Sequence, residues 1–215
     1  MEQLGLGLRS QFTDTMAATL EVFSRGRQNM SSSAGTKREL FVPHPSLIRM
    51  LREFLGQRLA TFKNPEQAEA LEVVMAGDRH VLLVGPTAMG KSLVYMLPAT
   101  RPNCGITCVL LPLSALHLDF ARRCRDLKIE SSQWMPFKNE QPKTKIVYVS
   151  PKHAQTTGFI KYLIKTSRQG KLARIVVDEV HLVKSHADFR FCFSALRPLI
   201  SAGESARHRN QIYFG

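Results

Sequence analysis

The sequence is short of acid, of cysteine and of tryptophan, and it contains no long apolar run. Seventeen Asp and Glu stand against 30 Lys and Arg in 215 residues, giving a formal net charge of +13. A balance that basic favours a polyanionic partner, either nucleic acid or an anionic membrane surface. No stretch reaches the roughly 18 apolar residues that a membrane-spanning helix needs, so no span is expected. Glu2 and the lack of a basic region ahead of an apolar stretch speak against a secretory signal. A weak transit-like character in Arg9, Arg25 and Arg27 is opposed by Glu2, Asp14 and Glu21. Of the four cysteines, Cys104 and Cys108 are spaced CxxxC, with no second pair and no HxxxH to complete a zinc site. They read as reduced, mostly buried thiols of an intracellular protein. No internal repeat is present.

A hydrophobic content of 44% is enough to build a core, and the length suits one α/β domain with a short extension. Residues 1–40 read as a partly disordered extension. Met16, Leu20 and Phe23 form one stripe of a possible amphipathic helix from Phe12 to Phe23, and SRGRQNMSSSAGTKRE follows as a linker. Order is expected from residue 41 to 215. Pro45 and Ser46 open a helix in which Leu47, Leu51, Phe54, Leu55 and Leu59 follow helical spacing. Asn64 is placed to cap a helix that starts at Pro65, buries Ala68, Leu71, Val74 and Met75, and stops at Gly77. Apolar runs at 81–84, 106–112, 145–150 and 173–180 read as strands covered on both faces. Between them come a helix carrying Leu116, Phe120 and Cys124, and another over roughly 153–166. Alternating strands and helices imply a parallel sheet.

Two motifs carry chemistry. GPTAMGKS, Gly85 to Ser92, fits GxxxxGK[ST] in the strand–loop–helix setting that the motif requires. Gly85 and Gly90 let the backbone wrap so that the N–H groups of Thr87, Ala88 and Met89 and their neighbours can face a phosphate. A helix beginning near Lys91 adds its positive end, Lys91 supplies a mobile cation, and the Ser92 hydroxyl can ligate Mg²⁺. VVDEVH, Val176 to His181, adds two carboxylates at a strand end. Asp178 can hold Mg²⁺ and Glu179 can orient or deprotonate a water. Adjacent strand residues point to opposite faces, so a bend must bring both acids to one crevice.

Asp-Glu-x-His after a Walker lysine resembles motif II of superfamily 2 helicases, and further segments follow in order. FKNPEQ, Phe62 to Gln67, resembles the upstream adenine-reading motif, with Gln67 as the base-contacting amide. LLPLSALHLD, Leu110 to Asp119, and YVSPKHA, Tyr148 to Ala154, resemble two nucleic-acid-contacting segments of RecQ-type helicases. SHADFR, Ser185 to Arg190, resembles their aromatic-rich loop, although Ser185, His186 and Ala187 replace the usual Trp, Gly and His. The resemblance covers roughly residues 41 to 200. It implies a P-loop RecA-like lobe that binds ATP and Mg²⁺, with His186, Asp188, Phe189, Arg190 and Lys152 toward single-stranded or duplex DNA. It also implies 3′–5′ polarity and, through the DNA substrate, a nuclear location.

Other residues bear on the same reading. From Arg122 to Arg174 there are thirteen Lys and Arg against three acids, a segment suited to phosphate backbones. Trp134 reads as a core or rim residue at the end of a short edge strand, SSQ, and Phe191 and Phe193 as core anchors. No NKxD guanine-reading motif is present, and a P-loop kinase would leave the DEVH tetrad unexplained. The Ser/Thr-Ala-Thr triplet expected after ALRPLI is missing from SAGESARHRNQIYFG, so the last strand of the lobe is expected to be absent or replaced by QIYF. The resemblance also implies a second RecA-like lobe with an arginine finger, which is expected to lie outside this chain. Two functions therefore stand: the motor lobe of a RecQ-like helicase, and a truncated paralogue that binds nucleotide or DNA without unwinding.

Overall fold

A six-stranded sheet, every pair of it parallel, organises the computed structural model, which describes residues 41–77, 81–86, 89–112, 114–136, 144–179 and 211–214. In chain order the strands are β1 (Val81–Leu82), β2 (Ile106–Leu110), β3 (Ser131–Gln133), β4 (Ile146–Val149), β5 (Leu172–Val177) and β6 (Gln211–Phe214). Across the sheet the order is β1-β6-β5-β2-β4-β3. The helices are α1 (Pro45–Leu55), α2 (Pro65–Ala76), α3 (Leu93–Ala99), α4 (Ser114–Asp126), α5 (Pro151–Ala154) and α6 (Thr157–Arg168). Among the described residues no helix is long and apolar enough to cross a membrane. The expected helix at 12–23, its linker and the ALRPLI segment lie outside the described residues.

The central strands alternate their buried residues between two helical layers, as a doubly covered parallel sheet must. Val109, Ile146, Tyr148 and Val176 join Ala70 and Val74 of α2, Val94, Tyr95, Met96 and Ala99 of α3, and Phe120 and Cys124 of α4 in one core. Helix α6 covers the opposite face, with Phe159 and Leu163 fully buried. Trp134, just past edge strand β3, is 4% exposed and meets the Phe159 ring edge-on at 5.2 Å. Helix α1 adds a smaller core in which Leu47 and Leu51 meet Leu71 and Leu97.

Local chemistry sets the helix ends. Asn64 Oδ1 accepts from the N–H of Gln67 at 2.8 Å, and Gly77 ends α2 in the left-handed region. Gly56 ends α1 in the same way, with φ 64. The helical spacing that runs on to Leu59 therefore does not hold: Leu55 is at the rim and Leu59 is 90% exposed. In α4 the buried stripe is His117, Phe120 and Cys124, while Leu116 faces solvent. The single helix expected over 153–166 is two. Thr156 Oγ1 donates to His153 O at 2.7 Å, closing α5, and accepts from the N–H of Phe159, opening α6.

The strands are shorter than the apolar runs that announced them. β1 pairs only at Val81 and Leu82, and β5 stops at Val177, leaving Asp178 and Glu179 in a turn. Gln211–Phe214 takes the place that the sequence left uncertain: β6 lies between β1 and β5, paired with both in parallel.

Candidate active site

The loop after β1 and the turn after β5 open on the same carboxyl edge of the sheet. They do not follow neighbouring strands, because β6 lies between them. α3 begins at Leu93 rather than near Lys91. Lys91 and Ser92 form the turn that leads into it, fixed by Leu93 N to Gly90 O at 3.0 Å and Met96 N to Ser92 O at 2.9 Å.

Gln67 clamps this loop from below. Its side chain is 2% exposed, its Nε2 donates to Gly90 O at 2.9 Å and to Met89 O at 3.3 Å, and its Oε1 accepts from Lys63 N at 3.0 Å. Gly90 has φ 83, and a Cβ there would lie 2.5 Å from Gln67 Nε2. The loop thus needs glycine at this position for its backbone and for its clamp. Gly85 gives room to Met89, whose Sδ would be 2.0 Å from a Cβ at residue 85. Lys91 Nζ donates to Gly85 O at 3.2 Å, so the amine folds back along the loop.

Asp178 sits at the end of the ladder, its N–H donating to Leu110 O at 3.1 Å. Glu179 then turns the chain with φ 56, and its N–H donates to Asp178 Oδ1 at 3.1 Å. This left-handed residue is the bend that the paired acids require. A non-glycine residue there costs about 1–2 kcal/mol, a strain that clusters at functional sites. The second carboxylate oxygen of Asp178, Oδ2, accepts from the Tyr95 hydroxyl at 3.1 Å. Burial pushes the Asp178 carboxyl above its ordinary range. The Tyr95 hydrogen bond, the Glu179 N–H and the charge of Lys91 pull it back, while the Glu179 charge raises it. Tyr95 itself, wholly buried, is held well above the usual phenol range, first by desolvation and then by Asp178.

The structure brings together Gln67, Gly85, Met89, Gly90, Lys91, Ser92, Asp178 and Glu179. Lys152 is exposed in α5, after β4, on the same sheet edge but two strands from β5. Thr87, Ala88, His186, Asp188, Phe189 and Arg190 lie outside the described residues. Two members of the site were not singled out from sequence. Tyr95 lay unremarked in an apolar run, its phenol three residues past Ser92 being the signal. Arg123, whose Nη1 donates to Ser92 Oγ at 3.2 Å, was counted only as part of a basic stretch, although Asp119 four residues earlier marks it as anchored.

A model of the DEAD/DEAH box helicase family matches residues 64–213. The chain belongs to the DEAD/DEAH box helicase family. Among its relatives in that family, the ATP-dependent DNA helicase Q5 of Rattus norvegicus is 34% identical over 144 residues, 60% of this chain and 15% of that protein. The ATP-dependent DNA helicase Q1 of Pongo abelii is 35% identical over 147 residues, 61% of this chain and 22% of that protein. The ATP-dependent DNA helicase hus2/rqh1 of Schizosaccharomyces pombe is 34% identical over 145 residues, 58% of this chain and 11% of that protein. The chain thus spans less than a quarter of each of these RecQ-type relatives. The crystal structure of the DUF1998 helicase MrfA bound to DNA and AMPPNP has the same fold, with TM-score 0.61 over 81% of this chain and 27% of that one at 21% identity. The DEAD/DEAH box lobe here is a P-loop, RecA-like parallel sheet flanked by helices.

Proposed function

We propose that this chain is the ATP-binding motor lobe of a RecQ-like DNA helicase, coupling ATP hydrolysis to strand separation when a second lobe completes the enzyme. The observation that carries the reading is the Tyr95 hydroxyl, three residues past Ser92, donating to Asp178 Oδ2 at 3.1 Å, which ties the loop after β1 to the turn after β5 at one carboxyl edge.

The residues present fit a magnesium–triphosphate. A hydroxyl and a carboxylate are hard oxygen donors, and a carboxylate whose ionised form is disfavoured by burial gains from a cation beside it. Ser92 and Asp178 would hold the ion, which supplies charge neutralisation on the β- and γ-phosphates. Lys91, leaving the Gly85 carbonyl, places its amine on those phosphates. Gln67, read from sequence as the adenine-contacting amide, has both ends of that amide engaged by Lys63 N, Met89 O and Gly90 O, so it acts here by holding the loop in shape. Glu179 orients the attacking water and accepts its proton. DNA runs along the sheet edge past Lys152, and the family likeness adds His186, Asp188, Phe189 and Arg190 as further contacts. That substrate is supported by the DNA helicase names of the relatives, and a nuclear site of action is proposed with it.

The test is ATP turnover with and without single-stranded DNA. The expected outcome is turnover stimulated by DNA, lost in both Lys91→Ala and Glu179→Gln. Lys91→Ala also loses nucleotide binding, whereas Glu179→Gln retains it. A parent chain that binds nucleotide yet shows no turnover with DNA would replace the motor reading with the binding-module one. Variants that bind and hydrolyse like the parent would overturn both residue assignments.

A further inference from the structure

Arg123 brings to this site a cation that the reading above does not use. It lies in the last turn of α4, 31 residues from Ser92 in sequence, yet its Nη1 donates to Ser92 Oγ at 3.2 Å. Its Nη2 donates to Asp119 Oδ2 at 3.1 Å, one turn earlier on the same helix. Arg122 holds the other oxygen of Asp119. The charge of Arg123 also reaches the phenol of Tyr95, the residue that grips Asp178. The guanidinium is thus tethered at one end to an acid of its own helix and at the other to a proposed metal ligand.

We propose that Arg123 is a positioning residue that competes with the divalent cation for the Ser92 hydroxyl. This rests on the magnesium–nucleotide reading given above. Ser92 makes no side-chain cap bond to α3, so its oxygen is free to be taken by a donor from elsewhere. A monocation and a dication on one oxygen repel each other. Guanidinium does not deprotonate in proteins, so it must leave by rotation and not by losing charge. Its side chain is 51% exposed, which gives it solvent to rotate into while Asp119 keeps it tethered. The planar fork is essential to this bridge: a lysine ammonium lacks the rigid, planar pair of donors that spans Asp119 and Ser92 in fixed geometry.

The experiment is a magnesium titration of the binding of a fluorescent, non-hydrolysable ATP analogue to the full chain. Arg123→Ala is expected to lower the magnesium midpoint roughly three- to tenfold, the range for losing a half-exposed, charge-assisted hydrogen bond. Arg123→Lys is expected to fall between variant and parent. In a Ser92→Ala background, Arg123→Ala is expected to leave the midpoint where it was. If Arg123 merely attracted the triphosphate, its removal would weaken binding at every magnesium concentration, and that result overturns the proposal. An unchanged or raised midpoint in Arg123→Ala overturns it as well. A parent chain with no magnesium-dependent nucleotide binding overturns the functional reading and the proposal together, whereas magnesium dependence in the parent with an unmoved variant overturns the proposal alone.

Discussion

Removing one oxygen atom from Tyr95 tests how the acidic end of the site is held. Phenylalanine fills the same space in the core shared by α2, α3 and α4, so Tyr95→Phe opens no cavity. What it deletes is the 3.1 Å donation to Asp178 Oδ2. A hydrogen bond to a charged partner is worth about 1.5–3 kcal/mol net. Asp178 is only partly buried and keeps the Glu179 N–H and the field of Lys91, so the lower part of that range applies. A loss of about 1.5–2 kcal/mol at roughly 2–4 °C per kcal/mol lowers Tm by about 3–8 °C for a chain of this size. The assay is thermal unfolding by circular dichroism in metal-free, nucleotide-free buffer. The decisive arm is a double-mutant cycle. In an Asp178→Ala background the hydroxyl of Tyr95 is buried without its acceptor, so removing it becomes neutral or stabilising. If Tyr95→Phe costs the same with and without Asp178, the two side chains are not coupled and the bond contributes nothing to the site.

Two further outcomes follow from the same geometry. Gly90→Ala forces a side chain onto φ 83 and drives its Cβ to 2.5 Å from Gln67 Nε2. Backbone strain alone costs about 1–2 kcal/mol, and with the clamp displaced, denaturant unfolding shows the loss while a nucleotide titration shows weakened binding. His117 is 6% exposed, with Nε2 against Leu111 O at 3.5 Å and Nδ1 against Gln133 Nε2 at 3.0 Å. A carbonyl can only accept, so Nε2 carries a proton, and the Gln133 amide N–H donates to Nδ1, which leaves the ring neutral. Burial, the main cause, lowers its pKa, so its folded-state value lies below the unfolded one. Its stability contribution is therefore complete above the ordinary imidazole range and is lost as pH falls through that range toward the folded value. Unfolding free energies measured from neutral to mildly acidic pH should decline less steeply in His117→Gln, and equal slopes would refute the assignment.

What was legible in the sequence was whatever neighbouring residues decide among themselves. Asn64 and Gly77 bound α2 because a cap and a left-handed stop each act over a few residues. The strand, glycine loop and lysine of GPTAMGKS are local for the same reason. Periodicity misled where a local signal was overlooked: Gly56 ended α1 before Leu59 could join its stripe, and the α4 stripe passed through His117 because a buried carbonyl and amide satisfy its ring. Sheet order, by contrast, is not a local property. Nothing near Gln211 indicates that it pairs with Arg174 on one side while Val81 pairs with Tyr213 on the other. Tyr95 and Arg123 were missed for that reason too. Their meaning comes from partners 83 and 31 residues away, Asp178 and Ser92, and an apolar run or a basic cluster conceals each of them equally well. It follows that long-range contacts are best sought where a polar atom interrupts a pattern that its neighbours explain. The phenol in LVYMLPA is such an interruption, and it ends on the carboxylate around which the proposed chemistry turns.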